Sequence, residues 1–297
     1  MKLSVLSYSF RGLLGAGQMD VFGYLESCRH RYGLGAADIW NGFLPTTDED
    51  FLYRVKDALD ERDLELADLC VDRAHVWDDD PQVRESNHRN ALAHLRAAEI
   101  LGARFVRIDA GSRRDTWSDA EFDHIVSRYQ EYARFAHERG FKTGAENHWG
   151  PERHWPELRR LYLAVDHPGF GISCHLGGWA GSPQEVAEAD RRVAPWVCHT
   201  HLPWDITEGP LEEKMVTLRD AGYTGYYSVE HHSAQREYAE VGVQLARVRA
   251  VLDGWRVLAA DGVFASREAA GAPPAAAPAQ PAPSPNSGAP GVSTVVR

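Results

Sequence analysis

The sequence has little cysteine and no long hydrophobic run. Its four cysteines are scattered through 297 residues and form no Cys-x-x-Cys pair, which indicates a reduced protein and not a disulfide-bonded secreted domain. No segment approaches the roughly 20 consecutive apolar residues that a membrane-spanning helix needs. The N-terminus turns polar at Lys2 and Ser4, without the apolar core of a secretory signal. We therefore expect a cytoplasmic protein with no membrane partner.

Positive charge is also scarce. Lys and Arg total 32 against 43 Asp and Glu, so the formal net charge is −11 with His neutral. Binding to nucleic acid rests on cationic side chains that neutralise phosphates, and we expect no nucleic-acid partner. The sequence also contains neither the Gly-x-Ser-x-Gly elbow of serine hydrolases nor a phosphate-binding P-loop. An acidic balance of this kind is compatible with a small-molecule substrate.

Short apolar runs alternate with longer amphipathic stretches over residues 1–262. Helical spacing joins the apolar residues of 87–101 and of 121–139, and Gly102 and Gly140 then stand where a left-handed helix end favours glycine. Eight strand–helix units of roughly 32 residues each are typical of a (β/α)8 TIM barrel. An open doubly wound sheet would need a glycine-rich phosphate turn after its first strand, and residues 12–17 lack that spacing. The eight runs are Lys2–Ser9, Ala36–Trp40, Leu66–Val71, Phe105–Ala110, Lys142–Asn147, Phe170–His175, Val197–Leu202 and Tyr226–Glu230.

The C-terminal part has a different composition. No aromatic residue follows Phe264, and Ala/Pro repeats replace the apolar periodicity. Such a segment cannot bury enough surface to offset its ordering entropy. We therefore predict a catalytic barrel domain over 1–262 and a disordered Pro/Ala-rich tail over 263–297.

Four consecutive predicted strands end in residue types that bind metals. Glu146, His175, His201 and Glu230 lie 29, 26 and 29 residues apart, about one strand–helix unit each. Because the C-terminal ends of barrel strands share one rim, we expect these side chains to converge. Two carboxylates and two imidazoles form a donor set for a divalent ion. At the sixth strand Cys174 is the alternative ligand, although adjacent side chains of a strand point to opposite faces.

Over about residues 1–260 the chain resembles the sugar phosphate isomerase/epimerase superfamily of xylose-isomerase-like barrels. The motifs of that superfamily are a Glu on strand five, often in a Glu-Asn-His run, an Asp on strand six, a His on strand seven and a Glu on strand eight. Glu146-Asn147-His148, His201 and Glu230 match them, whereas Cys174-His175 stands where Asp is usual. The resemblance implies a metal-dependent enzyme in which Glu146 and Glu230 are both ligands and the acid/base pair.

The histidine at strand six changes the charge of the predicted site. With a divalent ion, a set of two Glu and two neutral His sums to zero, and imidazole favours Mn, Co or Zn over Mg. We expect Mn²⁺, with Co²⁺, Zn²⁺ and Mg²⁺ as the alternatives. Such an ion can chelate a carbonyl and a neighbouring hydroxyl and stabilise an enediolate, while a carboxylate takes the proton. His148 is a candidate for a further acid/base group, or for a histidine that only supports the site through hydrogen bonds.

Aromatic and histidine side chains follow several strand ends and are candidates for substrate contacts. Flat aromatic faces at a barrel mouth suit sugars and aromatic rings, and the other interpretation is packing between helices and barrel. His199, two residues before His201, is interpreted as a buried interior histidine. The predicted substrate-binding residues are Trp40, His75, Trp149, Trp179, Trp204 and His232.

These features favour an isomerase or epimerase that removes a proton next to a carbonyl of a keto-sugar or polyol. The resemblance also includes lyases, among them catalytic subunits that cleave oxidised 3-keto C-glycosides with a second, smaller subunit, and dehydratases. A DNA endonuclease of the endonuclease IV type is disfavoured by the acidic charge. A non-catalytic barrel is disfavoured because two buried carboxylates are costly unless they are used. The sequence leaves a homo-oligomer or a second small subunit open.

Overall fold

The predicted barrel is confirmed. In the computed structural model, which describes residues 2–260, eight parallel strands form one sheet in the order β1-β8-β7-β6-β5-β4-β3-β2. Each of the eight apolar runs corresponds to one strand, and only β3 begins outside its run, by one residue. The strands are β1 (Leu3–Val5), β2 (Ala36–Trp40), β3 (Glu65–Val71), β4 (Phe105–Ile108), β5 (Lys142–Glu146), β6 (Phe170–His175), β7 (Val197–Leu202) and β8 (Tyr227–Val229).

The barrel closes between β1 and β2 by a short contact and not by a full ladder. A single parallel bridge joins Leu6 to Asp38. The buried hydroxyl of Tyr24 accepts a hydrogen bond from the Asp38 amide at 2.8 Å and donates one to the Val5 carbonyl at 2.6 Å. The Tyr24 hydroxyl thus supplies hydrogen bonds to backbone groups of β1 and β2 that a longer ladder between these strands would otherwise pair with each other.

The helices surround the sheet and begin at capping signals. The helix predicted from Asn87 begins six residues earlier, at Pro81, because the Asp80 side chain accepts a hydrogen bond from the Gln82 amide and proline suits the first helical position. It ends at Gly102, whose φ is 72°. The helices are α1 (Arg11–Gly15), α2 (Val21–Glu26), α3 (Glu49–Glu61), α4 (Pro81–Leu101), α5 (Asp119–Glu138), α6 (Trp155–Val165), α7 (Pro183–Val193), α8 (Trp204–Glu208), α9 (Leu211–Asp220) and α10 (Glu237–Ala260).

Strand register places two of the predicted ligands opposite each other and offsets each of the other two by two residues. His175 of β6 lies opposite His201 of β7, and Glu146 of β5 lies opposite Ser173. β5 and β6 also approach each other closely, because Gly144 faces Gly171 and a Cβ on Gly144 would collide with the Gly171 carbonyl oxygen. Since alternate residues of a strand face the barrel interior, the inward positions at the ends of β5–β8 form one polar patch.

The chain divides into a compact unit over Met1–Gly254, which holds the barrel, and a second unit over Trp255–Arg297. Of the second unit, residues 255–260 are described and belong to α10. The predicted domain boundary at 262/263 and the predicted tail lie outside the described residues. Between residues 2 and 260, no helix has the length and apolar character needed to cross a bilayer.

Candidate metal centre

The ends of β5 to β8 bring together the four predicted ligands, which we call the rim set: Glu146, His175, His201 and Glu230. Glu146 Oε1 lies 2.6 Å from His201 Nδ1 and 3.9 Å from His175 Nδ1. His175 Nδ1 lies 3.3 Å from Glu230 Oε2. Glu146 and His201 are each 1% exposed and Glu230 is 6% exposed. The rim set is therefore a chain of donor atoms at the floor of the barrel mouth.

The rim set fits a divalent ion by donor chemistry and by spacing. Bonds of about 2.1 Å in a tetrahedral site place donor atoms about 3.4 Å apart, and the separations of 2.6, 3.3 and 3.9 Å bracket that value. Carboxylate oxygens and imidazole nitrogens together suit Mn, Co and Zn. The donor atoms of Glu146, His175 and His201 lie within 4.8 Å of one another, and Glu230 joins them through its contact with His175.

Electrostatics keep both glutamates of the rim set ionised. Burial by itself would raise the pKa of Glu146, but the charge and hydrogen bond of His201, together with Arg107, hold that pKa below its ordinary value. Burial would likewise raise the pKa of Glu230. Hydrogen bonds from His175 and His232 outweigh burial, so that pKa lies well below its ordinary range. Cationic neighbours thus balance both carboxylates here, and a divalent ion bound by the rim set would take over that role.

Arg107 of β4 and Asp109, which directly follows that strand, complete the site and were not predicted from the sequence. Arg107 Nε lies 3.3 Å from Glu146 Oε2, and its Nη1 donates to Asp109 Oδ2 at 2.8 Å. Because Arg107 pairs with Oε2 of Glu146, it is Oε1 that faces His201 and His175. The available signal was the alternation within the β4 run, where Arg107 and Asp109 occupy inward positions of an otherwise apolar segment.

His148 lies beside the rim set, between two carboxylates. Its Nδ1 is 3.6 Å from Asp109 Oδ2 and 3.7 Å from Glu146 Oε2. Burial lowers the pKa of His148, but its ion pairs with Asp109 and Glu146 outweigh burial and raise that pKa to about 9. The ring is 36% exposed, so His148 reaches the solvent side of the site.

A cavity of about 1500 Å³ opens above β1–β3 and reaches the rim set at Glu230. We call it the mouth cavity. Trp149 is 48% exposed in it, and the indole of Trp40 is fixed by a 2.8 Å hydrogen bond from Nε1 to Asp72 Oδ2. Its lining includes four of the six predicted substrate contacts: Trp40, His75, Trp149 and His232.

The other two predicted substrate contacts lie outside the mouth cavity. Trp179 is 4% exposed and its Nε1 donates to Asp190 Oδ1 of α7 at 2.7 Å. The turn after β6 folds this indole back onto α7, and its contact with substrate stays a prediction. Trp204 is half-buried against the ring of His231, with centroids 5.9 Å apart, and its contact with substrate stays a prediction.

A family model described as a xylose isomerase-like TIM barrel matches residues 30–249. The chain belongs to this family. No curated protein matches the chain.

Solved structures show the same fold at low sequence identity. The D-psicose 3-epimerase of Clostridium cellulolyticum H10, solved with D-tagatose, has a TM-score of 0.68 and 15% identity over 86% of this chain and 99% of that one. The 3-keto-D-glucoside 4-epimerase of E. coli has a TM-score of 0.65 and 15% identity over 78% and 94%. A xylose isomerase-like protein of Mycobacterium smegmatis, solved with magnesium, has a TM-score of 0.67 and 15% identity over 85% and 95%.

In this xylose isomerase-like barrel, geometry distinguishes between the two candidate ligands of strand six, His175 and Cys174. His175 faces Glu146 and Glu230, whereas Cys174 is fully buried and, among the described residues, belongs to no cluster of ligand-type side chains. Burial and the charge of Asp190 raise the pKa of the Cys174 thiol, and a protonated thiol is a poor ligand. His175 is therefore the better strand-six donor.

Asn147, the middle residue of the Glu-Asn-His run, holds the neighbouring strand in place. Its Oδ1 accepts a hydrogen bond from the His175 amide at 2.7 Å, and its Nδ2 donates to the His175 carbonyl at 2.8 Å. Both backbone groups of His175 are thus fixed from β5. This bridge sets the distance between Glu146 and His175, a role that the sequence alone did not assign.

We expect Asn147→Ala to weaken metal binding as well as stability. Losing two buried hydrogen bonds should cost about 2–3 kcal/mol of the free energy of unfolding, and a misplaced His175 should lower metal affinity by roughly tenfold. Denaturant unfolding of the metal-free protein and competition with a chromophoric chelator measure the two effects. Asn90→Ala is the control, since Asn90 also donates to two backbone carbonyls, of Asp72 and Arg73. Equal metal affinity in both variants would contradict the bridging role.

Proposed function

We propose that the protein is a divalent-metal-dependent isomerase or epimerase that removes a proton next to a carbonyl of a keto-sugar or polyol. The observation that carries the proposal is the rim set, in which two ionised carboxylates and two imidazoles from four consecutive strands are linked by three contacts of at most 3.9 Å: Glu146 to His201, Glu146 to His175, and His175 to Glu230. The family to which the chain belongs and the sugar epimerases that share its fold support the same conclusion.

The two glutamates are held in equivalent ways. Each has one oxygen in the rim set and the other fixed from outside, by Arg107 at 3.3 Å for Glu146 and by His232 at 3.1 Å for Glu230. A divalent ion held by the rim set would polarise the substrate carbonyl and stabilise the developing enediolate charge. An ionised carboxylate of this pair accepts the proton from the adjacent carbon, and the opposite one returns it on the other face or at the neighbouring carbon.

Three further side chains serve substrate positioning and proton handling in this proposal. His148 Nδ1 lies 3.6 Å from Asp109 and 3.7 Å from Glu146, and the exposed edge of the ring faces the mouth cavity. The ring of Trp149 lies 5.0 Å from His148, centroid to centroid, and offers an open face for a sugar ring to pack on. His75, whose ring centroid is 6.1 Å from that of Trp149, extends the same wall.

One observation favours a second candidate, a lyase acting on an oxidised glycoside. At about 1500 Å³, the mouth cavity exceeds the roughly 300–1,000 Å³ typical of small-ligand sites. It extends from Glu230 past Trp40 towards α4, well beyond the space that a single keto-sugar at the rim set needs. In that case the same proton abstraction is followed by loss of the aglycone.

Proton NMR in D₂O tests both candidates in one experiment. The protein is loaded with Zn²⁺ or Mg²⁺ and incubated with keto-sugars and 3-keto-glucosides, and Mn²⁺ reactions are quenched and stripped of metal before observation because Mn²⁺ broadens the lines. We expect exchange of the α-hydrogen with a rearranged sugar as product. Exchange followed by release of the aglycone would favour the lyase. Absence of exchange from a protein with confirmed metal content would contradict proton abstraction from these substrates.

A further inference from the structure

Directly below the rim set, the barrel interior contains a fully buried polar cluster, which we call the buried quartet: Asp38, Asp68, His199 and His201. Each of the four is at most 1% exposed. They come from β2, β3 and β7 and meet across the barrel axis. Because a buried carboxylate without a partner is costly, these four side chains depend on one another. His201 is the one residue shared by the buried quartet and the rim set.

Asp38 is the centre of the buried quartet. Its Oδ2 lies 2.8 Å from His199 Nε2, accepts a hydrogen bond from the Ser228 hydroxyl at 2.6 Å, and lies 3.4 Å from His201 Nε2. Two other acceptors are farther from His201 Nε2: Cys70 Sγ lies 3.8 Å and Asp68 Oδ2 4.0 Å from it. Asp38 is therefore the nearest partner for His201 Nε2.

The two ring nitrogens of His201 face opposite layers of the barrel. Nδ1 faces the rim set and is hydrogen-bonded to Glu146 Oε1 at 2.6 Å, so without an ion this nitrogen carries a proton, which a divalent ion bound there would replace. Nε2 faces Asp38. When a neutral imidazole carries its proton on one nitrogen, the lone pair is on the other. A histidine that binds a metal generally donates its second N–H to a carboxylate or carbonyl, which fixes its tautomer and orientation.

We propose that Asp38 is a positioning residue for the metal centre: it receives the Nε2–H of His201 and so presents the Nδ1 lone pair to the rim set. The inference rests on the proposed function only in requiring that the rim set bind a divalent ion. Asp38 lies on β2, across the barrel from the strands that carry the rim set, and it touches neither the substrate nor the ion. Its Oδ1 has no hydrogen-bond partner within residues 2–260, so the carboxylate keeps capacity for the donors around it.

A purely structural role for Asp38 predicts a different result. In that case Asp38 would only satisfy His199 and Ser228 and join β2, β7 and β8. Its replacement would lower thermal stability and leave the metal site unchanged. A positioning role predicts, in addition, a change in metal affinity and in the protonation of the His201 ring.

The test uses the full chain loaded with diamagnetic Zn²⁺ and labelled with ¹⁵N-histidine. Long-range ¹H–¹⁵N correlation identifies, for each ring, the protonated and the metal-bound nitrogen, with His201→Gln assigning the signal. In the wild type we expect Zn²⁺ on Nδ1 of His201 and the proton on Nε2. In Asp38→Asn we expect zinc affinity, measured by chelator competition, to fall by about 10–100-fold, with loss of the single His201 tautomer.

Ser228→Ala is the matched control, because it removes another hydrogen bond to the same Asp38 oxygen and leaves the backbone pairing of Ser228 with His201 between β8 and β7 in place. We expect it to lower the thermal midpoint and to leave zinc affinity and the His201 signal unchanged.

The inference is overturned if Asp38→Asn retains both wild-type properties, or if wild-type His201 binds Zn²⁺ through Nε2, a result that needs no variant to fold. A wild type that binds no divalent ion would overturn the proposed function and this inference together, whereas an inert Asp38→Asn in a zinc-binding protein removes this inference alone.

Discussion

Glu146→Gln is expected to lose metal and turnover together. The glutamate supplies one donor to the rim set and, in the proposed mechanism, accepts or returns the substrate proton. Replacing a residue that only hydrogen-bonds to a metal ligand typically lowers metal affinity by about 10–100-fold. Losing an anionic ligand itself should therefore lower metal affinity by at least about 100-fold. Loss of a general base removes a further factor of about 10²–10⁴ from the rate. Chelator competition and the D₂O exchange rate at saturating metal measure the two losses separately.

Glu237→Gln provides a matched control for this experiment. Glu237 is also a buried glutamate near the same end of the barrel, but its two oxygens accept hydrogen bonds from the amides of Gly12 and Leu13 at 2.7 and 2.9 Å. We expect the control to lose stability and to keep metal affinity. If Glu146→Gln keeps the metal stoichiometry and the exchange rate of the wild type, the rim set is not the catalytic centre.

The barrel and most of the rim set could be predicted because both depend on periodic patterns along the chain. Each strand is a short apolar run between helical segments, and parallel strands place their C-terminal ends on one rim. A ligand-type residue at the end of each of four successive runs therefore predicts convergence without knowledge of any distance. The observed separations between Glu146, His175, His201 and Glu230 agree with that expectation.

The supporting residues could not be predicted in the same way, because their roles depend on contacts between distant strands. Asp38 and His201 are 163 positions apart in the sequence and meet only after the barrel closes. The sequence shows that Arg107 is a charged residue at an inward strand position, but it does not show that Arg107 pairs with Glu146. The hydrogen bond from the Trp179 indole to the Asp190 carboxylate on α7 is a further contact that the sequence does not show.

The second large effect is expected at strand six, where His175→Ala and Cys174→Ala should differ sharply. His175 Nδ1 lies between the carboxylates of Glu146 and Glu230, at 3.9 and 3.3 Å. Its removal takes one donor from the rim set and leaves two anions facing each other without an imidazole, so metal affinity should fall at least about 100-fold. Cys174 is fully buried on the other face of β6. Its truncation should cost about 1 kcal/mol of stability and leave metal affinity intact.

His175→Asp distinguishes the loss of a ligand from the loss of local structure. It restores the residue type that the resemblance gives for strand six, so metal binding should recover while His175→Ala remains defective. Because a carboxylate is a harder donor than imidazole and adds one negative charge, the recovered site should shift in preference from Zn²⁺ towards Mg²⁺ and Mn²⁺. Chelator competition with each ion in turn measures that shift. Loss of metal in Cys174→Ala together with retention in His175→Ala would assign the strand-six ligand to the thiol instead, and the neutral donor set argued for this barrel would then be wrong.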